Sequence, residues 1–248
     1  MMRTANPALN ANTFTKYDQA EYAARSMTIQ GVVNRTALLL ILAILSASWT
    51  WRMFFNDATQ AQVAPWMIGG LIGGVVFAFI TIFAKKAAAY TAPIYAILEG
   101  LFLGGLSAIL EAQFPGIVIQ AVGLTFGTLF CLLLAYTSRL IKPSENFKLG
   151  IVAATGGICM VYVASIFLRF FGLTMPLIHD TGPIGIAFSL FVVVIAALNL
   201  VLDFDFIETG VERGAPKYME WHAAFGLMVT LVWLYIEILH LLSKLRRR

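Results

Sequence analysis

Hydrophobic positions in this chain come in blocks, separated by short polar connectors. Seven blocks are long enough to cross about 30 Å of hydrocarbon. They run near Thr36–Phe55, Pro65–Ala84, Thr91–Leu110, Pro115–Tyr136, Phe147–Phe171, Pro183–Phe206 and Phe225–Leu242. A spanning segment must satisfy its own backbone in lipid, so the pattern predicts an all-α membrane protein, a single polytopic helical bundle. The connectors are too short to house an extramembrane catalytic domain. Residues 1–33 are polar throughout and lack the basic start, short apolar core and cleavage site of a secretory signal. The expected organisation is a polar tail, 1–33, followed by a membrane domain, 34–248.

Composition agrees. Of 248 residues, 60% are hydrophobic and 12% charged, and the mean hydropathy is +0.83. A soluble domain is nearer 45–50% apolar and about 25% charged. The net charge of +4 is spread over tails and loops, which excludes the basic face that nucleic acid needs. Cys131 and Cys159 lie within apolar blocks without metal-ligand spacing, and read as small core hydrophobes. No hydrolase, nucleotide-binding or redox motif is present, so no enzyme is signalled.

Lys and Arg near span ends set the expected orientation. They collect in the N-terminal tail (Arg3, Lys16, Arg25, Arg35) and in the second, fourth and sixth connectors (Lys85, Lys86; Arg139, Lys142, Lys148; Arg213, Lys217). This predicts a cytoplasmic N-terminus. A full seventh span then places the C-terminus outside, although it ends Lys244, Arg246, Arg247, Arg248. The alternative is a last segment that dips in and returns. The length of Phe225–Leu242 favours the full span.

Glycines recur four apart: Gly69/Gly73 and Gly70/Gly74, Gly100/Gly104, and Gly123/Gly127. Small residues at this spacing let helix backbones approach closely in lipid. The expectation is packing inside one bundle, with a monomer or a weak homodimer as the assembly.

The informative polar residues are acids inside apolar blocks. On the sixth span Asp203 shares a face with Asn199, Ala196, Val192 and Ser189, a small and polar stripe suited to facing other helices. Asp205 lies about 200° round the helix, above Val201, Leu198, Val194 and Phe191, a bulky stripe suited to lipid. On the seventh span Glu237 shares a face with Ala223, Gly226, Thr230, Trp233, His240 and Lys244. Ionisable groups at membrane depth cost roughly 2.5–3.5 kcal/mol each on insertion scales, so they usually meet a partner or a water-filled path. Two nearby carboxylates disfavour double ionisation, and His240 one turn from Glu237 titrates near neutrality, so such a site should respond to pH. With carbonyls and water, Asp203 and Glu237 could form a weak calcium site. Asp203 could instead be a solvated residue at its helix end, and Glu237 a structural acid paired with His240 or a basic residue. Glu99 in the third span is a third member of the site or a helix-pairing hydrogen bond. His222, beside Trp221 and Tyr218, reads as interfacial. His179 and Asp180 read as solvated connector residues.

The segment "IAALNLVLDFDFIETGVERGAPKYMEWHAAFGLMVTLVWLYIEILHLLSKLRRR", with "YTAPIYAILEGLFLGGLSAI" and "MTIQGVVNRTALLLILAILSASWTW", resembles the bacterial inner-membrane branch of the Bax inhibitor-1 (transmembrane Bax-inhibitor-motif) family. The resemblance runs from about Met27 to Arg248. It implies seven transmembrane helices, with a central seventh helix wrapped by two three-helix layers. It also implies a pH-sensitive calcium leak governed by an acidic pair on the sixth and seventh helices, with calcium as transported ion and no cofactor. In "LDFDFI" the family's sixth-helix aspartate matches Asp203; in "LYIEIL" the seventh-helix aspartate matches Glu237. Here the chain departs, having glutamate, and its connector between these helices is about ten residues longer. The alternative function is a regulatory inner-membrane protein that binds an ATP-dependent membrane protease complex through its N-terminal tail. Besides the lipid bilayer, such a protease is the only partner the resemblance implies. A proton-coupled transporter is a third class, without an evident broken helix pair to support it.

Overall fold

The computed structural model describes residues 26–56, 62–172 and 182–247. Among these lie seven helices and no strand: α1 (Ile29–Phe55), α2 (Val63–Phe83), α3 (Ala88–Gln113), α4 (Ile117–Thr137), α5 (Glu145–Phe170), α6 (Pro183–Glu212) and α7 (Met219–Arg246). A 3-10 turn, Lys85–Ala87, precedes α3. Each of the seven spans is long and apolar enough to cross a membrane. The chain is a multi-pass, all-α membrane protein, as its hydropathy blocks predict. The tail and the connector that holds His179 and Asp180 lie outside the described residues, apart from the tail's last few positions.

The helices overrun the apolar blocks at their polar ends. α1 starts at Ile29, inside the stretch read as tail, and α7 runs from Met219 to Arg246. Backbone hydrogen bonding does not stop where side chains turn polar, so hydropathy marks the lipid-facing middle of a helix and misses its ends. α7 is continuous over 28 residues, about 42 Å at 1.5 Å per residue. That length suits a full crossing. α4 begins at Ile117, not Pro115, because Gly116 at its N-cap takes φ +81°, a left-handed conformation that glycine adopts without penalty.

Local chemistry sets the α6–α7 connector. Gly214 has φ +64°, its N–H bonds Val211 O at 3.0 Å, and Ala215 N–H bonds Gly210 O at 3.0 Å. This pair of bonds is a Schellman closure, with glycine where the left-handed residue must sit and Pro216 following.

The chain divides into two compact units. One holds the described residues up to Pro115 together with Ile207–Val229; the other holds Gly116–Phe206 and the chain from Thr230 onward. In the first, α3 packs against both α1 and α2. Glycines permit both contacts. A Cβ on Gly100 would strike Ala43 and Ser46 of α1, and one on Gly104 would strike Ala47 and Thr50. On α2, Gly70 lies against Leu98 O and Gly74 against the Glu99 carboxylate. Gly123 and Gly127 of α4 and Gly69 of α2, by contrast, have nothing within 4 Å of an added Cβ, so the expected packing role holds for Gly100/Gly104 and Gly70/Gly74, and for Gly73 against Leu98.

In the second unit α5 and α6 run antiparallel, pinned by Lys148 to Asp205 (2.7 Å) and by Asn199 to Thr155 (2.9 Å). Ile158, Val192 and Ile195 form the apolar core there, with Ala154, Tyr162, Phe188 and Trp233 against it.

Burial differs sharply between helices. In the most apolar stretch of α7, 61% of residues are buried, and in α3 56%; in α1, α2, α4 and α5 the share is 11–22%. Exposed apolar surface on this scale needs a lipid solvent. Cys131 and Cys159 belong to those exposed faces, which corrects their reading as core residues. A thiol acts as a small hydrophobe and suits acyl chains as well as a protein interior.

Candidate functional site

On α6 the stripe expected to face inward does so: Ser189, Val192, Ala196, Asn199 and Asp203 are all buried, Asp203 completely. Phe191 and Val194, from the opposite stripe, are about half exposed. The stripe is buried again by Val201, and Asp205 remains partly exposed, ion-paired to Lys148. Asn199, the supporting residue, donates to Thr155 Oγ1 and to Ile195 O (2.8 Å). One amide hydrogen is satisfied within the helix by the carbonyl four residues earlier, and the other holds α5 in register.

Glu237 is buried on α7 and fixed from two helices. The Tyr162 hydroxyl of α5 donates to its Oε1 at 2.8 Å, and the Trp233 indole N–H, one turn earlier on α7, donates to the same oxygen at 3.2 Å. Nδ1 of His240, half exposed, stands 4.0 Å from Oε2. Tyr162 is a member of this site that sequence reasoning missed. Nothing in its local pattern marks it, because the contact joins residues 75 apart.

Asp203 and Glu237 belong to the same unit but to different levels of it. The Lys148–Asp205 and Thr155–Asn199 pairs set the α5–α6 register, which brings Tyr162 level with Val192 on α6. Since Tyr162 reaches Glu237, the two carboxylates stand on the order of 15 Å apart along the helices, at 1.5 Å per residue. Asn199 and Thr155 lie between them. The buried face of α6 and its neighbours thus carries an acid at two heights, with Asn199 and Thr155 toward Asp203 and the Ile158–Val192–Ile195 core toward Glu237. Among the described residues no group of three or more His, Cys, Asp or Glu side chains is placed to hold a metal ion.

Glu99, the other supporting acid, is buried on α3 in the first unit, beside Gly74 of α2.

The first unit holds a second buried acid that the sequence did not single out. Glu220, in the first turn of α7, is fully buried. Its Oε1 accepts from the N–H of Thr28 at 2.9 Å and from the Thr28 hydroxyl at 3.0 Å. The carboxylate also pairs with Arg35 and with Lys217 (2.8 Å). Thr28 is the N-cap of α1, its Oγ1 accepting the Gly31 N–H at 3.0 Å. In a capping box the residue three after the cap is Glu or Gln and returns a bond to the cap's N–H. Here that residue is Gly31, and Glu220 supplies the carboxylate from the other end of the chain. A Cβ on Gly31 would collide with that carboxylate. The main chain joins as well: Met27 N–H bonds Ala215 O at 2.6 Å, and Ser26 bridges Pro216. The Arg35 guanidinium lies over Trp221, 5.2 Å from the ring centroid. His222 is fully buried, its ring 6.4 Å from that of Phe225, which corrects its reading as an interfacial residue. Helical spacing sends Trp221 and His222 in different directions, so one partly exposed aromatic does not make its neighbour interfacial.

A family model described as "Bax inhibitor 1 like" matches residues 6–247. No curated protein and no solved structure matches the chain.

Proposed function

Because the chain belongs to the Bax inhibitor 1 like family, we propose that it is a pH-sensitive leak for cations, calcium foremost, in the bacterial inner membrane. The observation that carries this reading is the pair of acids, Asp203 and Glu237, buried at two heights of one unit inside apolar spans. Carboxylates at such depth are costly, and besides pairing with neighbours they mark ion and proton paths. Two spaced acids suit a cation that steps between them, and protonation of either removes its attraction for that cation. Proteoliposomes loaded with a calcium dye and assayed across a pH series test the reading. Asp203→Asn and Glu237→Gln are each expected to lower calcium flux about tenfold, some 1.4 kcal/mol in barrier height, and to flatten its pH response. Equal flux and equal pH response in all three proteins would overturn it.

The proposed orientation is N-terminus cytoplasmic and C-terminus outside. Its support is the loop distribution of Lys and Arg and the unbroken length of α7. Reporters fused after Arg248 should be active only on the outer side. Cytoplasmic activity would reverse the assignment of the last helix.

A second reading, regulation of a membrane protease through the tail, draws on the root of that tail. Ser26–Thr28 is fastened to residues 215–220 by the bonds around Glu220, so a partner that grips the tail would act on the start of α7. Deleting residues 1–25 leaves this fastening in place. The deletion should abolish co-purification with the protease while calcium flux persists; retained association would move the contact to the bundle.

A further inference from the structure

Lys244 lies in the last turn of α7, where a lysine usually extends its ammonium toward the membrane surface. Here it turns inward. The residue is buried, and its Nζ donates to Ser189 Oγ at 2.8 Å and to Gly185 O at 3.1 Å, both near the start of α6. Burying an ammonium is costly unless it is paired, and Glu237 lies on the same helix. Seven residues separate the two, which returns Lys244 to the same helix face. Side chains on a helix tilt toward its N-terminus, so the lysine leans toward the glutamate. The ammonium is near enough for its charge to act on the Glu237 carboxylate. Ser189, its main anchor, is itself the end of the buried α6 stripe that carries Asn199 and Asp203.

We infer that Lys244 is a tethered cation that holds the leak shut: its ammonium, anchored on Ser189 and Gly185, occupies the end of the buried α6 stripe, on the Glu237 side, where a permeating cation would have to stand. The inference rests on the cation-leak reading and adds the group that closes it. A cation entering from this end meets a fixed positive charge in a low-dielectric surround, where repulsion is far stronger than in water. Opening then requires the ammonium to leave Ser189, which a flexible four-carbon stem near a helix end permits.

The test uses the full chain in proteoliposomes, with calcium and potassium as separate probes. Lys244→Met keeps the length and removes the charge; it is expected to raise flux of both ions at least about tenfold. Ser189→Ala loosens the anchor and should raise flux about threefold, and it carries the test if the methionine variant does not fold. Lys244→Arg keeps the charge and should stay within about twofold of the parent protein. In a Glu237→Gln background Lys244→Met should give no increase, because the closing charge acts on ions drawn to that carboxylate. A conducting parent whose flux is unchanged or lower in Lys244→Met and Ser189→Ala overturns the inference and leaves the leak reading standing. An increase that persists in full with Glu237→Gln also overturns it, since general loosening of the bundle would produce that result. Silence from the parent protein and every variant would remove the leak reading itself, and the inference with it.

Discussion

Gly104→Leu is expected to yield no stably folded protein: in mild detergent the variant should elute as aggregate, where the parent gives a single symmetric species. The backbone of α3 meets that of α1 at this point, and a Cβ alone would strike Ala47 and Thr50. Ordinary overpacking of a core costs about 1–3 kcal/mol because neighbouring side chains shift. Here the obstructing atoms include the Ala47 main chain, so relief requires the two helices to part. Gly100, one turn earlier, meets Ala43 and Ser46 in the same way. In lipid no hydrophobic force drives α1 back onto α3, because acyl chains solvate the separated faces equally well. Gly123→Leu is the control. It has open space around it and should leave the elution profile unchanged.

Glu220→Leu is expected to destabilise the protein by about 3 kcal/mol, as removal of one member of a buried ion pair does. Arg35 and Lys217 lose their shared counter-charge, and Thr28 loses the acceptor of both its N–H and its hydroxyl. Thermal unfolding in detergent would measure this, with Glu220→Gln as the milder companion. The amide oxygen can still accept from Thr28, so Gln should recover part of the loss. Gly31→Ala approaches the same carboxylate from the α1 side and should also lower the transition temperature. No change in the leucine variant would show that the cluster contributes nothing net to stability.

The two acidic clusters also show where sequence reading reaches its limit. Hydropathy located all seven helices, because lipid leaves few alternatives to a helix for an apolar block. It could not separate faces that meet lipid from faces that meet protein, since both are apolar; Cys131 and Cys159 were misplaced for that reason. Faces became legible only where small and polar residues interrupted the pattern. Thus Ser189, Asn199 and Asp203 were placed inward correctly on α6, and Gly100 and Gly104 on α3. Asp203 and Glu237 were visible as buried acids, but their separate levels depend on the α5–α6 register, which no single helix encodes. Glu220 was hidden further still. It sits in a stretch that looks like a connector, and its partner Thr28 is 192 residues away. Lys244 stands in the sequence both among the terminal charges and on the Glu237 face, because a one-dimensional pattern cannot tell a lysine that extends to the surface from one that folds inward.

The distant cap on α1 bears on how the protein is made. Membrane proteins are synthesised from the N-terminus, and α1 is the first helix to emerge. Its N-cap residue has to wait for Glu220, which follows six spans later. Throughout synthesis the start of α1 carries an unmatched Arg35 and an incomplete cap. Only a chain extended at least to the first turn of α7 can close that end. A chain that ends before α7 therefore keeps the local Thr28–Gly31 cap but leaves the Thr28 N–H and the Arg35 guanidinium without the carboxylate that joins them.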